Sequence, residues 1–91
     1  MAKIEKFEDL EIWKMAREIC QYVDYLIQNT NLKSNYSIKD QMDRSSGSIM
    51  DNIAEGFERN GNREFIQFLS IAKGSSGQLK SQSYRSFDKK L

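Results

Sequence analysis

No proline interrupts this chain, and that absence constrains the fold more than any residue present. Proline costs about 3 kcal/mol in a helix interior, so a chain without it is free to run in long helices. The apolar spacing uses that freedom. Trp13, Ala16, Cys20, Val23 and Ile27 recur at 3-4-3-4 intervals, the pattern of a helix packed in a bundle. It predicts a first helix over about residues 8–28. Ile12, Ile19 and Leu26 form a second row, joined by Met15 and Tyr22. Together the rows are wider than the ~100° stripe of an ordinary surface helix. Two readings fit: a thick core around Trp13, or one row facing the core and the other a second subunit.

Asn29 to Tyr36 reads as a polar connection. Helix two is expected over residues 37–59, opened by a capping box of Ser37 and Asp40. Ile38, Met42, Ile49, Ile53 and Phe57 mark its core face. Arg44-Ser45-Ser46-Gly47-Ser48 looks like a loop by composition, but the apolar period runs through it in register, so it reads as a small-residue packing zone. Asn60-Gly61 is the expected break. Helix three is expected over residues 62–90, with Glu64 in the first turn, where the helix dipole favours a carboxylate. Phe65, Phe68, Leu69, Ala72, Ser76, Leu79, Ser83 and Phe87 share a face. Gly74-Ser75-Ser76-Gly77 is a second small-residue zone on the same argument. Ile66 and Tyr84 lie off that face and Ile71 lies opposite, as surface residues or as a subunit contact. The sequence stops at Leu91 in a helical pattern without a visible cap, reading as a truncated product or one whose fourth helix comes from another chain.

A chain of 91 residues makes one small helical domain, residues 1–91, and buries only ~60% of its unfolded surface. The net charge of +1 gives no global argument for a nucleic-acid protein. Cys20 is the only cysteine, which excludes an intrachain disulfide and fits a reducing compartment. No apolar run is long enough to span a membrane, and the charged first residues do not read as a signal peptide. A cytoplasmic location is expected by default.

Enzyme chemistry has little to stand on. The chain has no histidine and no metal-ligand cluster. Cys20 falls on the apolar face with no histidine to activate it. Gly74-Ser75-Ser76-Gly77 lacks the following Lys-Ser/Thr of a phosphate loop and follows no strand. No catalytic residue, cofactor, metal or small-molecule substrate is expected. Nucleic-acid contact has more support. Lys73, Lys80, Arg85, Lys89 and Lys90 face only Asp88 across the last nineteen residues, a charge of +4, and Arg59 and Arg63 lie at the junction of helices two and three. Such a band attracts phosphate, or is a solvated helix face. A third set suits self-assembly. Gln41, Ser48, Asn52 and Arg59, bordered by Glu55, form a polar stripe beside the core face of helix two. It reads either as a subunit contact, together with Ile66, Ile71 and Tyr84, or as a network within one bundle.

Four motifs carry a resemblance. Phe7-Glu8-Asp9-Leu10-Glu11-Ile12-Trp13-Lys14-Met15-Ala16 is similar to an "F..L.vW..A" opening. Gln41-Met42-Asp43-Arg44-Ser45-Ser46-Gly47-Ser48-Ile49 is similar to "Qi.RA..Si". Asn52-Ile53-Ala54-Glu55-Gly56-Phe57-Glu58-Arg59 is similar to "NIAEG..R", and the run from Glu64 to Leu79 to "EF..FL.IA.GS..EL". In that order they resemble the four-helix-bundle proteins of the 23S rRNA intervening-sequence type. Gln78 and Gly47 depart from the family pattern. The resemblance implies an all-α, antiparallel up-down bundle with three long helices present and the fourth missing or truncated. It further implies a homo-oligomer, a pentamer as in the similar accessory variability determinants of retroelements, which bind a reverse transcriptase and nucleic acid. The expected function is a non-enzymatic scaffold or adaptor whose partner is structured RNA or a nucleic-acid–protein complex. The alternative is a degenerate bundle with a purely protein–protein role.

Overall fold

The computed structural model describes residues 3–91; Met1 and Ala2, counted in the expected domain, lie outside the described residues. Three long helices account for most of the chain: α1 (Glu11–Asn29), α2 (Tyr36–Glu58) and α3 (Asn62–Asp88). Short 3-10 turns, Phe7–Asp9 and Asn31–Ser34, precede α1 and α2. Among the described residues there is no strand.

The helix ends follow local chemistry that the sequence only partly disclosed. Leu10 takes an extended backbone and packs against the core, so Phe7–Asp9 is a separate turn and α1 starts at Glu11, later than expected. Phe7 lies edge-on to Trp13, ring centroids 5.2 Å apart. At the far end, the Thr30 hydroxyl donates to the Leu26 carbonyl at 2.6 Å and accepts the Leu32 amide at 3.1 Å. That double use turns the chain and drops Leu32 into the core.

The capping box expected from Ser37 and Asp40 does not form. Asn35 is the N-cap, its side-chain oxygen accepting the Ile38 amide at 3.2 Å. Asparagine is among the best N-cap residues, and the helix therefore starts at Tyr36. Ser37 then falls in the first turn, accepting from Gln41 at 3.3 Å. Asp40 pairs with Arg44 at 3.1 Å instead. The break after α2 does come at Asn60, which sits in the left-handed region at φ 61°, a conformation asparagine tolerates better than most residues.

The end of α3 differs from the uncapped pattern read in the sequence. Lys90 is left-handed at φ 59°. Its amide bonds the Phe87 carbonyl at 3.0 Å, and the Leu91 amide reaches back to Ser86 at 3.0 Å. This is a Schellman motif, and Leu91 supplies its apolar contact by packing against the core.

The core comprises Ala16 and Val23 of α1, Leu32, Ile38, Met42, Ile49 and Ile53 of α2, and Ala72 and Leu79 of α3. Trp13 is at its margin rather than its centre, half-buried. The α2–α3 contact is the most extensive, α1 packs on α2, and α1 and α3 scarcely touch. Partners ascend on one helix as they descend on the other: Met42 meets Ser86, Ser45 meets Gln82, and Ser48 meets Ser75. At Gly56 the two helices approach closely. A Cβ built there would lie 2.6 Å from Phe68 Cβ and 3.1 Å from Phe65 Cδ1.

Two packing expectations need correction. The face of α3 turned to α2 is Phe68, Ala72, Ser75, Leu79, Gln82 and Ser86, whereas Ser76 and Ser83 are exposed and Phe87 is 79% exposed. With α1 hardly touching α3, only one neighbour sets the phase of the helix, and the phase rotates toward it. The small-residue zones are also only half used. Ser45, Ser46 and Ser75 are buried, but Gly47, Gly74 and Gly77 have no packing atom within 4 Å of a built Cβ.

Candidate interaction surfaces

The polar stripe of α2 lies along the α2–α3 seam. Ser45 donates to Gln82 at 2.7 Å, and the Ser48 and Ser75 hydroxyls are 2.8 Å apart. Asn52 donates to both the carbonyl and the hydroxyl of Ser48, at 2.8 and 3.0 Å. Arg85 of α3 donates to Gln41 at 3.1 Å. Ser86 donates to the Met42 sulfur at 3.3 Å. Among the described residues, every buried side-chain nitrogen and oxygen has a partner, so none incurs the ~1–3 kcal/mol of an unpaired group. Gln41, Ser48 and Asn52 thus bond within the chain. Glu55 and Arg59 form an exposed pair at 3.0 Å, and the Arg59 guanidinium lies 5.2 Å over the Phe68 ring.

The basic residues do not converge on one face. Lys73 and Lys80 lie on the side of α3 turned toward α1, by their spacing from Ser76. Arg85 is engaged on the opposite side, at the seam. Arg59 and Arg63 sit at the far end of the bundle, and Lys89 and Lys90 at the C-terminal turn. All are exposed. Ile66, Ile71 and Tyr84 are exposed as well. Ile66 and Tyr84 lie beyond Lys73 and Lys80, and Ile71 lies on the seam side.

The surface with the most apolar character is a long hollow between α1 and α3. Its floor is Ile49, Ile53 and Met42 of α2, with Val23, Ala72 and Leu79. The α1 wall is bulky and wet: Ile12, Met15, Ile19 and Tyr22 are 42%, 60%, 38% and 62% exposed. The α3 wall is lower, with Leu69, Ser76 and Ser83. The second apolar row of helix one was legible in the sequence and is this wall. The opposing wall was not legible, because the spacing of Ser76 and Ser83 places them with Leu69, Ala72 and Leu79 on the core face.

Cys20 makes a hydrogen bond from its sulfur to the Ser46 carbonyl at 3.2 Å. Burial first, and then the carboxylates of Asp51, Asp24 and Asp43, push its thiol above the ordinary value. That disfavours the thiolate needed for nucleophilic chemistry. Among the described residues, no group of three or more Cys, Asp or Glu side chains is placed to hold a metal ion. Among the described residues, no helix is long and apolar enough to cross a membrane.

A family model described as 23S rRNA-intervening sequence protein matches residues 8–91. No curated protein and no solved structure is significantly similar to the chain.

Proposed function

Because the chain belongs to the 23S rRNA-intervening sequence protein family, we propose that it acts without catalysis, as a self-assembling scaffold or adaptor built on an antiparallel up-down bundle with its fourth position open. The observation that carries this reading is the hollow between α1 and α3. Four large apolar side chains of α1 stay wet there, at ~25 cal/mol for each Å² that a partner would cover. Contiguous apolar surface of this kind marks an interaction site. The decisive measurement is light scattering on the purified protein. A clean monomer at micromolar to hundred-micromolar concentration would remove the self-assembly reading; a multiple of the chain mass supports it. The resemblance implies five copies, and the same experiment reads the number.

Structured RNA, or an RNA–protein complex, is the partner class favoured by the exposed Lys73, Lys80, Lys89, Lys90 and Arg63. The alternative is a purely protein–protein adaptor, for which the spread of these cations over several faces speaks. Titration of a structured RNA at rising salt separates the two. Phosphate contact gives affinity that falls steeply with salt; no binding at low salt leaves the protein–protein role.

A further inference from the structure

We infer that the Asn60–Gly61 link between α2 and α3 is a site of spontaneous covalent modification, at which the Asn60 carboxamide is converted to a carboxylate through a cyclic imide. The inference stands on the link alone and is independent of the self-assembly reading.

The chemistry needs a free carboxamide, a free amide on the next residue and room for the two to meet. Asparagine occurs at positions 29, 31, 35, 52, 60 and 62, and only Asn60 is followed by glycine. The others precede threonine, leucine, tyrosine, isoleucine and arginine, whose side chains crowd the amide nitrogen. Hydrogen bonds hold several of them as well. The Asn29 side chain donates to the Tyr25 carbonyl at 2.8 Å, Asn35 accepts the Ile38 amide at 3.2 Å, and Asn52 donates to the Ser48 carbonyl at 2.8 Å. Among the described residues, no hydrogen bond engages the Asn60 side chain or the Gly61 amide.

The local backbone explains that freedom. Asn60 is exposed and left-handed at φ 61°, where the chain leaves α2. Gly61 is the N-cap of α3, so its amide precedes the helical ladder, whose first amides have no partner within the helix. With no Cβ, Gly61 lets the link rotate and bring its nitrogen over the Asn60 side chain.

The reaction uses only water as co-reactant. The Gly61 amide gives up its proton and its nitrogen attacks Cγ of Asn60. A Cγ–N bond forms, the Cγ–Nδ2 bond breaks, and ammonia leaves with the proton. Water then opens the five-membered imide. Opening at Cγ leaves an aspartyl residue with the main chain intact. Opening at the main-chain carbonyl leaves an isoaspartyl residue, its chain running through the side chain and one methylene longer.

The two products differ in what they do to the fold. The aspartyl form keeps a residue type that tolerates the left-handed region, and it places a carboxylate beside the N-terminus of α3, where the helix dipole favours one. The isoaspartyl form lengthens the link just beyond the tight approach of Gly56 to Phe68, where a built Cβ would lie 2.6 Å from Phe68 Cβ. That seam has no slack for an added methylene. Either product takes the net charge of +1 down by one, to zero, and proteins near zero charge associate more readily.

The test is ageing of the purified full chain at mildly alkaline pH, followed by isoelectric focusing and peptide mapping. One acidic species is expected to accumulate, mapped to Asn60 in both aspartyl and isoaspartyl forms. The isoaspartyl fraction is expected to unfold at lower urea than the aspartyl one. Gly61→Ala is expected to slow the conversion several-fold. A Cβ at Gly61 meets only the flexible carboxylate end of Glu64, and unchanged helical circular dichroism confirms folding. Asn60→Asp, focused alongside, is expected to run with the aged acidic species. An acidic species mapped to another asparagine, conversion in urea but not in the native protein, or a Gly61→Ala variant that converts as fast as the wild type overturns the inference. None of these outcomes bears on the oligomeric state.

Discussion

Gly56 and Phe68 touch so closely that no side chain fits between them: a Cβ on Gly56 would stand 2.6 Å from the Cβ of Phe68. The obstacle is the root of a side chain, which cannot swing aside, so α2 and α3 would have to separate. Gly56→Ala is expected to destabilise the protein by about 1–3 kcal/mol, the usual cost of overpacking. Gly47, in the same helix, has nothing within 4 Å of a built Cβ. Gly47→Ala is expected to stabilise by about 0.5–1 kcal/mol through helix propensity alone. Urea unfolding of the two variants should give shifts of opposite sign.

Asn35 rather than Ser37 opens α2. Asn35→Ala is expected to cost about 1 kcal/mol, the ordinary value of a lost N-cap. Ser37→Ala removes only an exposed hydroxyl bonded to Gln41 and should stay within about 0.5 kcal/mol of wild type. Thermal unfolding of the pair distinguishes the real cap from the one the sequence pattern suggests.

Lys90 holds a left-handed backbone at φ 59°, which costs a side-chain-bearing residue roughly 1 kcal/mol. Lys90→Gly relieves that strain at the position where a Schellman motif prefers glycine. A rise in stability of about 1 kcal/mol is expected, read as a higher midpoint in urea.

The Cys20 thiol is pushed up by burial, so its ionisation in the native protein should lie above that of the unfolded chain. Iodoacetamide alkylation followed against pH should show a higher midpoint for the native protein than for protein in urea. The linkage follows in sign. The native state holds the proton more tightly, so the stability from the neutral thiol is full below the unfolded thiol's range. It is lost as pH rises toward the native one. Cys20→Ala should remove that component of the alkaline decline.

The helices themselves were legible because their apolar spacing is strong and nothing in the chain breaks it. Their phase was less so. Phe87 has the right spacing to extend the core face, yet it is exposed, because α3 answers to α2 alone and turns Ser86 inward to Met42. The end chemistry was hidden for a different reason: Asn35 and Ser37 are both good caps, and only the geometry of the turn at Thr30 chooses between them. Of the candidate surface residues, Gln41, Ser48 and Asn52 were legible as one polar stripe of α2. Its use could not be read from one helix, because Ser75 and Arg85, which bond Ser48 and Gln41, lie on another.

The unequal packing of the three helices has a thermodynamic corollary. α2 and α3 are joined by an extended apolar contact and a row of hydrogen bonds, while α1 rests on α2 and leaves much of its apolar face in water. Amide exchange should therefore release α1 first, as a separate opening unit below the global unfolding free energy. Whatever covers that face binds the segment least secured by the chain itself. Occupancy and the folding of α1 are then one linked equilibrium, and the melting temperature rises with protein concentration wherever the occupant is another copy.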